Sequence, residues 1–439
     1  MPMNWLFLDM NSFFASAEQH LRPELRGHPI GVIPVETDRT CVIAASVEAK
    51  RAGVRTGTSV GDARAMCPGI RLIKARPDVY VRLHHRIAAS IDRWIPIHKA
   101  YSIDEWAMRL VGKQREAEKA VDLGKRIKAQ IAADHSRWLP CSVGIAPTRL
   151  LAKIACELEK PDGLSILATD DLPHRLGHLS LKDLTGINRG VAARLYRHGV
   201  EDIDGLWALS RQRSIEIWGS VVGAHWWAGF HGHDEPEQQT RKRSMSHANV
   251  LEPRLRNEAG VRGMLARLIY RLGIRLRDEG MLAGRLSVSV KYARHEGEFS
   301  AQTPLPLVQD TPSLLRAFTE MWADGSSRRS PGAIPMQTGA CVSGLVHESQ
   351  ATGCLFGEPV ADTRLSRAMD LINRRWGPGA AYFGALHGCS HEMDEKIAFG
   401  RVPTARGEQA NETIKVAPTA GKTGQAMTGI DGGYTGGPE

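Results

Sequence analysis

Trp5-Leu6-Phe7-Leu8-Asp9-Met10-Asn11-Ser12-Phe13-Phe14-Ala15-Ser16-Ala17-Glu18 opens on an unbroken apolar run that ends at an acid. Four large apolar residues without alternation predict a strand buried on both faces. Asp9 closes that strand, and Asn11 or Ser12 is placed to cap a helix running on from Ser12. A buried strand that gives way to a helix is the start of an α/β layer. The same alternation continues to about residue 165. Cys41–Ala45 reads as a short strand leading into a helix over Val47–Ala52. Tyr80, Leu83, Ile87, Ile91 and Trp94 fall at helical spacing, and Lys99–Leu110 reads as one strand. Ala120, Leu123, Ile127 and Ile131 line one face of a second amphipathic helix; strand Cys141–Ile145 and helix Arg149–Leu158 complete the layer.

Beyond it the chain changes character. Residues 169–230 look all-helical and contain Leu184-Thr185-Gly186-Ile187-Asn188-Arg189-Gly190. A turn of that kind suits a helix-hairpin-helix, in which backbone N–H groups around Gly186, Asn188 and Gly190 hold a nucleic-acid phosphate; an ordinary helical connection fits the spacing equally well. Residues 231–243 are polar, lack periodicity and end in Arg241-Lys242-Arg243, which predicts a solvated linker. Strand 244–250, helix 261–279, strands 285–293 and 298–304, helix 312–322 and strand 337–346 then follow in the β-α-β-β-α-β order of a ferredoxin-like domain. Residues 241–350 carry 16 Lys/Arg against 10 Asp/Glu, so much of the basic excess sits there. A C-terminal extension spans 351–402, and 403–439 has the Gly, Thr, Ala and Pro content of a disordered tail.

At 439 residues, two to four domains are expected. The net charge of +9 points to a polyanionic partner. Seven scattered cysteines without a CxxC pair read as reduced thiols of a cytoplasmic protein, with neither a disulfide framework nor a zinc site. Asp9 interrupts the first apolar run too early for a signal peptide or a membrane span. The expectation is a soluble protein with no membrane partner, monomeric by default.

Asp9 and Asp104-Glu105, inside Ser102-Ile103-Asp104-Glu105, are candidate metal ligands, while a helix cap or a surface charge fits the spacing of each acid taken alone. Neighbouring strand residues point to opposite faces, so Asp104 and Glu105 reach one spot only through a bulge, a twist or a strand end. Three carboxylates with a backbone carbonyl are enough protein ligands for Mg²⁺, which keeps waters and substrate phosphates in its shell.

The stretch from Asp9 to Glu18 resembles the opening motif of the Y-family (lesion-bypass) DNA polymerases, and Ser102-Ile103-Asp104-Glu105 resembles their second acidic motif. Ser142-Val143-Gly144-Ile145-Ala146, Leu151-Ala152-Lys153-Ile154-Ala155 and Lys160-Pro161-Asp162-Gly163 resemble the third. The motifs keep the family's order and spacing, and the resemblance spans roughly residues 3–350. It implies a multidomain α/β (α+β) right hand: palm 1–19 and 80–168, fingers 20–79, helical thumb 169–230, and a DNA-binding little finger at 244–350. It implies two Mg²⁺ ions on Asp9, Asp104, Glu105 and the Met10 carbonyl, with primer-template DNA and a dNTP as substrates. Phe14, next to Phe13, falls at the steric gate against a ribose 2′-OH, and Lys160 at the triphosphate-binding lysine.

Departures qualify the match. Where the family commonly has a Tyr-x-x-Arg pair on its first finger helix, this chain has Val47 and Lys50, with Arg51 one residue further round. Lysine supplies charge without the guanidinium fork, so a weaker hold on the triphosphate is expected. Thr148-Arg149 stands where many members have Asn-Lys. Cys354-Leu355-Phe356 faintly resembles a sliding-clamp peptide, with Thr352 in place of its leading Gln, and Leu365–Phe383 resembles extensions of some bacterial members. A non-catalytic DNA-binding accessory protein on the same fold is the alternative, and the three retained carboxylates speak against it.

Overall fold

The apolar run at the N-terminus forms strand β1 (Trp5–Met10), buried along its whole length. The computed structural model describes residues 2–38, 40–236, 241–293, 297–325, 332–351, 360–377 and 379–387. They form two compact units, one through Pro236 and one beyond it.

In the first unit, β1 leads to α1 (Phe13–Leu21), β2 (Ile30–Ile33), β3 (Ala44–Ala45), α2 (Val47–Arg51), α3 (Val60–Met66), β4 (Arg71–Lys74) and α4 (Pro77–Asp92). Next come β5 (Ile97–Ala100), β6 (Glu105–Arg109), α5 (Ala117–Asp134), β7 (Cys141–Ala146), α6 (Arg149–Leu158) and β8 (Leu164–Ile166). Four helices complete it: α7 (Arg189–Arg197), α8 (Ile203–Trp207), α9 (Arg211–Trp218) and α10 (Val222–Phe230). The main sheet runs β5-β6-β1-β7-β8, with β1 at its centre, and β3-β2-β4 form a separate small sheet. Alternation along β1 builds two cores. Leu6, Leu8 and Met10 pack with Tyr80, Ile87 and Ile91 of α4 and Ile127 and Ile131 of α5. Trp5 and Phe7 pack on the other face with Leu151 and Ala155 of α6 and with apolar residues of the helical segment, including Leu195 and Phe230. Asp9, in phase with Trp5 and Phe7, belongs to the α6 face.

Three expectations are corrected here. Lys99–Leu110 is not one strand: β5 and β6 pair antiparallel across a tight turn at 101–104. That turn has neither Gly nor Pro. It closes through Tyr101 N–H on the Glu105 carbonyl at 2.9 Å and through a Ser102 side chain bonded to both the backbone and the carboxylate of Asp104. Only Ala44–Ala45 of the 41–45 stretch is strand, Cys41 making an isolated bridge to Ser59. Residues 231–236 are anchored at His231 and Asp234, although His233, Glu235 and Pro236 stay exposed. Asp234 accepts from Trp5 Nε1 at 2.7 Å and pairs with Arg109 at 2.9 Å, while His231 stacks between Trp207 and Trp227. Composition cannot reveal such partners, because they lie far away in sequence.

The second unit has β9 (Ser244–Val250), α11 (Glu258–Asp278), β10 (Met281–Tyr292), β11 (Glu298–Val308), α12 (Thr311–Asp324) and β12 (Pro335–Ser343), in the expected β-α-β-β-α-β order. The strands lie in the order β11-β10-β12-β9 with every pairing antiparallel, and short β13 (Val346–His347) adds to β10. One core joins the sheet to α11 and α12 through Leu265, Ile269, Leu286, Val288, Leu314 and Phe318. Helix α13 (Val360–Trp376) follows. The clamp-like Cys354–Phe356 and the tail 403–439 lie outside the described residues. Among the described residues no helix is long and apolar enough to cross a membrane.

Candidate active site

The β5–β6 turn resolves the geometric problem of adjacent acids. Glu105 is the first residue of β6 and stands opposite Asp9 on β1, so both side chains leave the sheet on the α6 face. Asp104 belongs to the turn, freed from strand alternation, and its carbonyl accepts from Met10 N–H at 2.9 Å. A strand end therefore sets Glu105 opposite Asp9 and leaves Asp104 on the adjoining turn. His84 of α4, which is nearly fully buried, supports the turn from behind. Its Nδ1–H donates to the Ile103 carbonyl at 2.7 Å while its ring stacks on Trp106.

Two lysines meet these acids. Lys153 on α6 donates to both Glu105 oxygens at 2.8 and 2.7 Å, and Lys160 pairs with Asp9 at 2.8 Å and with Glu157 at 2.7 Å. Helix α6 can approach the sheet this closely because residue 144 is glycine: a Cβ there would lie 2.0 Å from the Ala152 carbonyl oxygen. The Lys160–Gly163 loop is tied to the first motif by Asn11 Oδ1, which accepts from Asp162 N–H at 2.6 Å and from Ser142 Oγ at 3.1 Å. Lys128 of α5 clasps the same loop, donating to the Cys141, Asp162 and Gly163 carbonyls. Lys153 and Lys128 went unassigned in the sequence, where a lysine on an amphipathic helix reads as a solvated charge. No spacing distinguishes these two.

Burial pushes the Asp9 carboxyl up to about 7, with Asp104 adding to the effect and Lys160 opposing it. Burial likewise raises Asp104, although its Ser102 hydrogen bond opposes the shift. Burial works against the Lys160 cation, yet Asp9 and Glu157 hold it above its ordinary pKa. Asp9, Asp104 and Glu105 are hard oxygen donors of the kind that fits Mg²⁺. Among the described residues no three acidic, His or Cys side chains converge as a ligand cluster, for Glu105 is turned to Lys153 and Asp104 to Ser102.

A model of the impB/mucB/samB family matches residues 8–157, and a model of that family's C-terminal domain matches residues 242–353. The chain belongs to this family, the Y-family DNA polymerases. DNA polymerase IV of Moorella thermoacetica is 30% identical over 383 residues, covering 85% of this chain and 93% of that protein. DNA polymerase IV 1 of Bacillus subtilis is 27% identical over 383 residues, covering 84% and 90%. Among solved structures, a chimera of Y-family DNA polymerases aligns with a TM-score of 0.66 at 19% identity, over 79% of this chain and all of that one. An insertion ternary complex of the Dbh DNA polymerase aligns with a TM-score of 0.52 at 20% identity, over 79% and 100%. These two likenesses establish the fold.

Around Asp9, Asp104 and Glu105 the other expected residues are distributed as follows. Half-buried Phe14 stacks on Tyr80 at 4.4 Å, and Phe13 is buried against the same ring. Tyr80 donates to Glu18 at 2.8 Å, and Arg76 grips both Glu18 oxygens at 2.9 and 2.6 Å. Sequence reading missed this support. Lys50 lies within electrostatic range of the site: partial burial and the like charge of Lys160 lower its pKa, and Asp9 opposes. Arg51 is exposed on the next position of the same short helix, and Val47 is half-buried. Thr148, without a reading from sequence, caps α6 through Leu151 N–H and donates to the Gly229 carbonyl at 2.7 Å; Arg149 covers the Tyr101 ring. Gly186 has φ 91° in an exposed loop, and Asn188 caps α7 by accepting from Val191 N–H at 2.9 Å. The element before that loop is a single 3-10 turn, Leu181–Asp183, not a full helix. Arg241, Lys242 and Arg243 are exposed in the second unit, where Lys242 pairs with Glu279.

Proposed function

We propose that Asp9, Asp104 and Glu105, with the Met10 carbonyl, hold two Mg²⁺ ions in the active site of a lesion-bypass DNA polymerase. The enzyme is a DNA-directed DNA polymerase, joining a primer 3′-OH to the α-phosphate of a template-matched dNTP and releasing pyrophosphate. The observation that supports the metal assignment is the facing of Asp9 and Glu105 across β1 and β6, with Asp104 on the adjoining turn bonded to Met10 N–H. When bound, the metal ions supply charge neutralisation for an in-line displacement at phosphorus.

The chain's own residues do the rest. Lys160 and Lys50 attract the triphosphate, and the Asn11–Asp162 and Lys128 contacts set where Lys160 stands. Phe14, backed by Tyr80, closes the ribose side against a 2′-OH. Residues 1–19 and 80–168 serve as palm, 20–79 as fingers, 169–230 as thumb and 244–350 as little finger. The loop at Gly186, Asn188 and Gly190 and the basic run Arg241-Lys242-Arg243 grip the backbone of primer-template DNA, giving salt-dependent affinity independent of base sequence. The protein works as a cytoplasmic monomer on this reading. Primer extension with Mg²⁺ and dNTPs tests it: wild type extends and Asp104→Ala/Glu105→Ala does not. Extension by the double variant at the wild-type rate would remove these acids from the chemistry.

A further inference from the structure

Helix α13 is attached by the wrong side. In an ordinary surface helix the apolar stripe faces the core and the polar face meets water. Here the stripe turned to the unit is polar. Ser366 is fully buried and accepts from Thr311 N–H at 3.1 Å. Asp370, 7% exposed, takes a two-bond grip from Arg277 at 2.6 and 2.9 Å. Asn373 bonds Tyr270 Oη at 3.2 Å and exchanges hydrogen bonds with Ala381. The apolar residues point outward: Leu365 is 50% exposed, Leu371 63%, Ile372 42% and Trp376 69%. At roughly 100° per residue, Leu365, Ile372 and Trp376 lie within about 40° of one another, and Arg364 and Arg375 flank them together on one side.

Such a face gains nothing from water and is held in place by directional bonds that fix the helix's rotation, so the outward stripe is imposed. We propose that the outward face of α13 docks a partner protein through an apolar helical ridge edged by carboxylates. Trp376 and Ile372 would be the buried anchors, and Arg364 and Arg375 the cationic rim that pairs with the partner's acids. Charge selects this occupant. A second copy of the chain would set Arg364 and Arg375 against arginines, which costs affinity. Nucleic acid would match the arginines but leave Leu365 and Ile372 facing phosphates.

The test uses the full chain and three labelled synthetic helical peptides followed by fluorescence anisotropy. One carries a leucine stripe flanked by Glu, one the same stripe flanked by Lys, and one Ser in place of Leu. The Glu-flanked peptide should bind more tightly than either control. Ile372→Glu/Trp376→Glu should weaken it at least ~10-fold, equivalent to about 1.4 kcal/mol. Arg364→Glu/Arg375→Glu should reverse the preference in favour of the Lys-flanked peptide. Both variants change exposed side chains, and unchanged melting with retained primer extension will verify their folding. Equal binding of both charged peptides, or indifference to either variant, overturns the proposal. A dimer in sedimentation that Ile372→Glu/Trp376→Glu dissolves overturns it in favour of a second copy. Loss of duplex-DNA affinity in that variant overturns it in favour of nucleic acid.

Discussion

Arg277–Asp370 in the second unit and Asp9–Lys160 with Glu105–Lys153 in the first are all ion pairs withdrawn from water, yet they are built for opposite ends. Arg277 spends its guanidinium fork on both Asp370 oxygens, the Gln309 carbonyl and Thr311 Oγ1, and the two side chains are 3% and 8% exposed. Donors and acceptors are saturated there, so the pair fixes where α13 sits. At the candidate active site Asp9 and Glu105 each meet a lysine, a compact charge without a fork, and the lysines remain 28% and 24% exposed. Asp9 stays unneutralised enough for burial to hold its carboxyl at about 7. A saturated pair is a fastening; an unsaturated one is a place where other ligands can enter.

The largest expected effect breaks the comparison on the active-site side. Asp104→Ala/Glu105→Ala should cut kcat/KM for primer extension by ~10⁴-fold, about 5.5 kcal/mol in the barrier, while the melting temperature hardly moves. Arg277→Met should do the reverse. An uncompensated buried Asp370 costs about 3–5 kcal/mol, so the second unit should unfold early in urea, and Arg277→Met/Asp370→Leu should recover much of the loss. If Arg277→Met melts like wild type, the distinction drawn between the two kinds of pair is wrong.

How far the sequence announced these sites depends on how far apart the partners lie. The buried run Trp5–Leu8 and the β-α-β-β-α-β order were legible because local periodicity carries them. The turn at 101–104 was not, since its closure rests on Ser102 and Asp104 side chains without a turn-forming Gly or Pro, and the run reads as one strand. The three acids were singled out by their motifs. Lys153, Lys128 and His84 were not, because what singles each out is a contact with Glu105, the Asp162–Gly163 loop or Ile103 across the sheet layer. Which face of α13 is buried was not legible, because it depends on Arg277, almost a hundred positions earlier.

His84 sharpens the comparison through pH. Burial lowers its pKa from 6.5 to about 4, the Ile103 carbonyl opposing the shift. The unfolded chain therefore binds the extra proton first, and the stability tied to neutral His84 is full above pH 6.5 and lost as pH falls toward 4. The shift corresponds to roughly 3 kcal/mol at most. Urea titrations between pH 7 and 4 should show the first unit weakening over that window, and His84→Phe, which keeps the stack on Trp106, should flatten the slope. An unchanged slope would mean His84 is not the group that titrates. Smaller still is the effect of the metal itself: Mg²⁺ at ten times its Kd should stabilise the first unit by about 1.4 kcal/mol, and EDTA should remove the gain. The second unit's melting, set by its saturated pair, should not respond.

The smallest effect concerns the difference between a lysine and an arginine at the proposed triphosphate site. Lys50 stands near Lys160 and Asp9, with its charge disfavoured by burial and by Lys160. Half-buried Val47, one turn earlier on the same helix, has no polar group to offer a phosphate. A guanidinium presents two parallel donors to an oxyanion, as Arg277 does to Asp370. Val47→Tyr with Lys50→Arg should therefore lower KM for dNTP by ~5-fold, about 1 kcal/mol, in line with the net gain of one ordinary hydrogen bond, and leave kcat nearly unchanged. The split matters more than the size. A fall in KM alone means the finger helix contributes to holding the nucleotide before chemistry; a matching change in kcat would place Lys50 among the groups that act in the transition state; and no change in KM would show that the departure at these two positions has no bearing on the triphosphate.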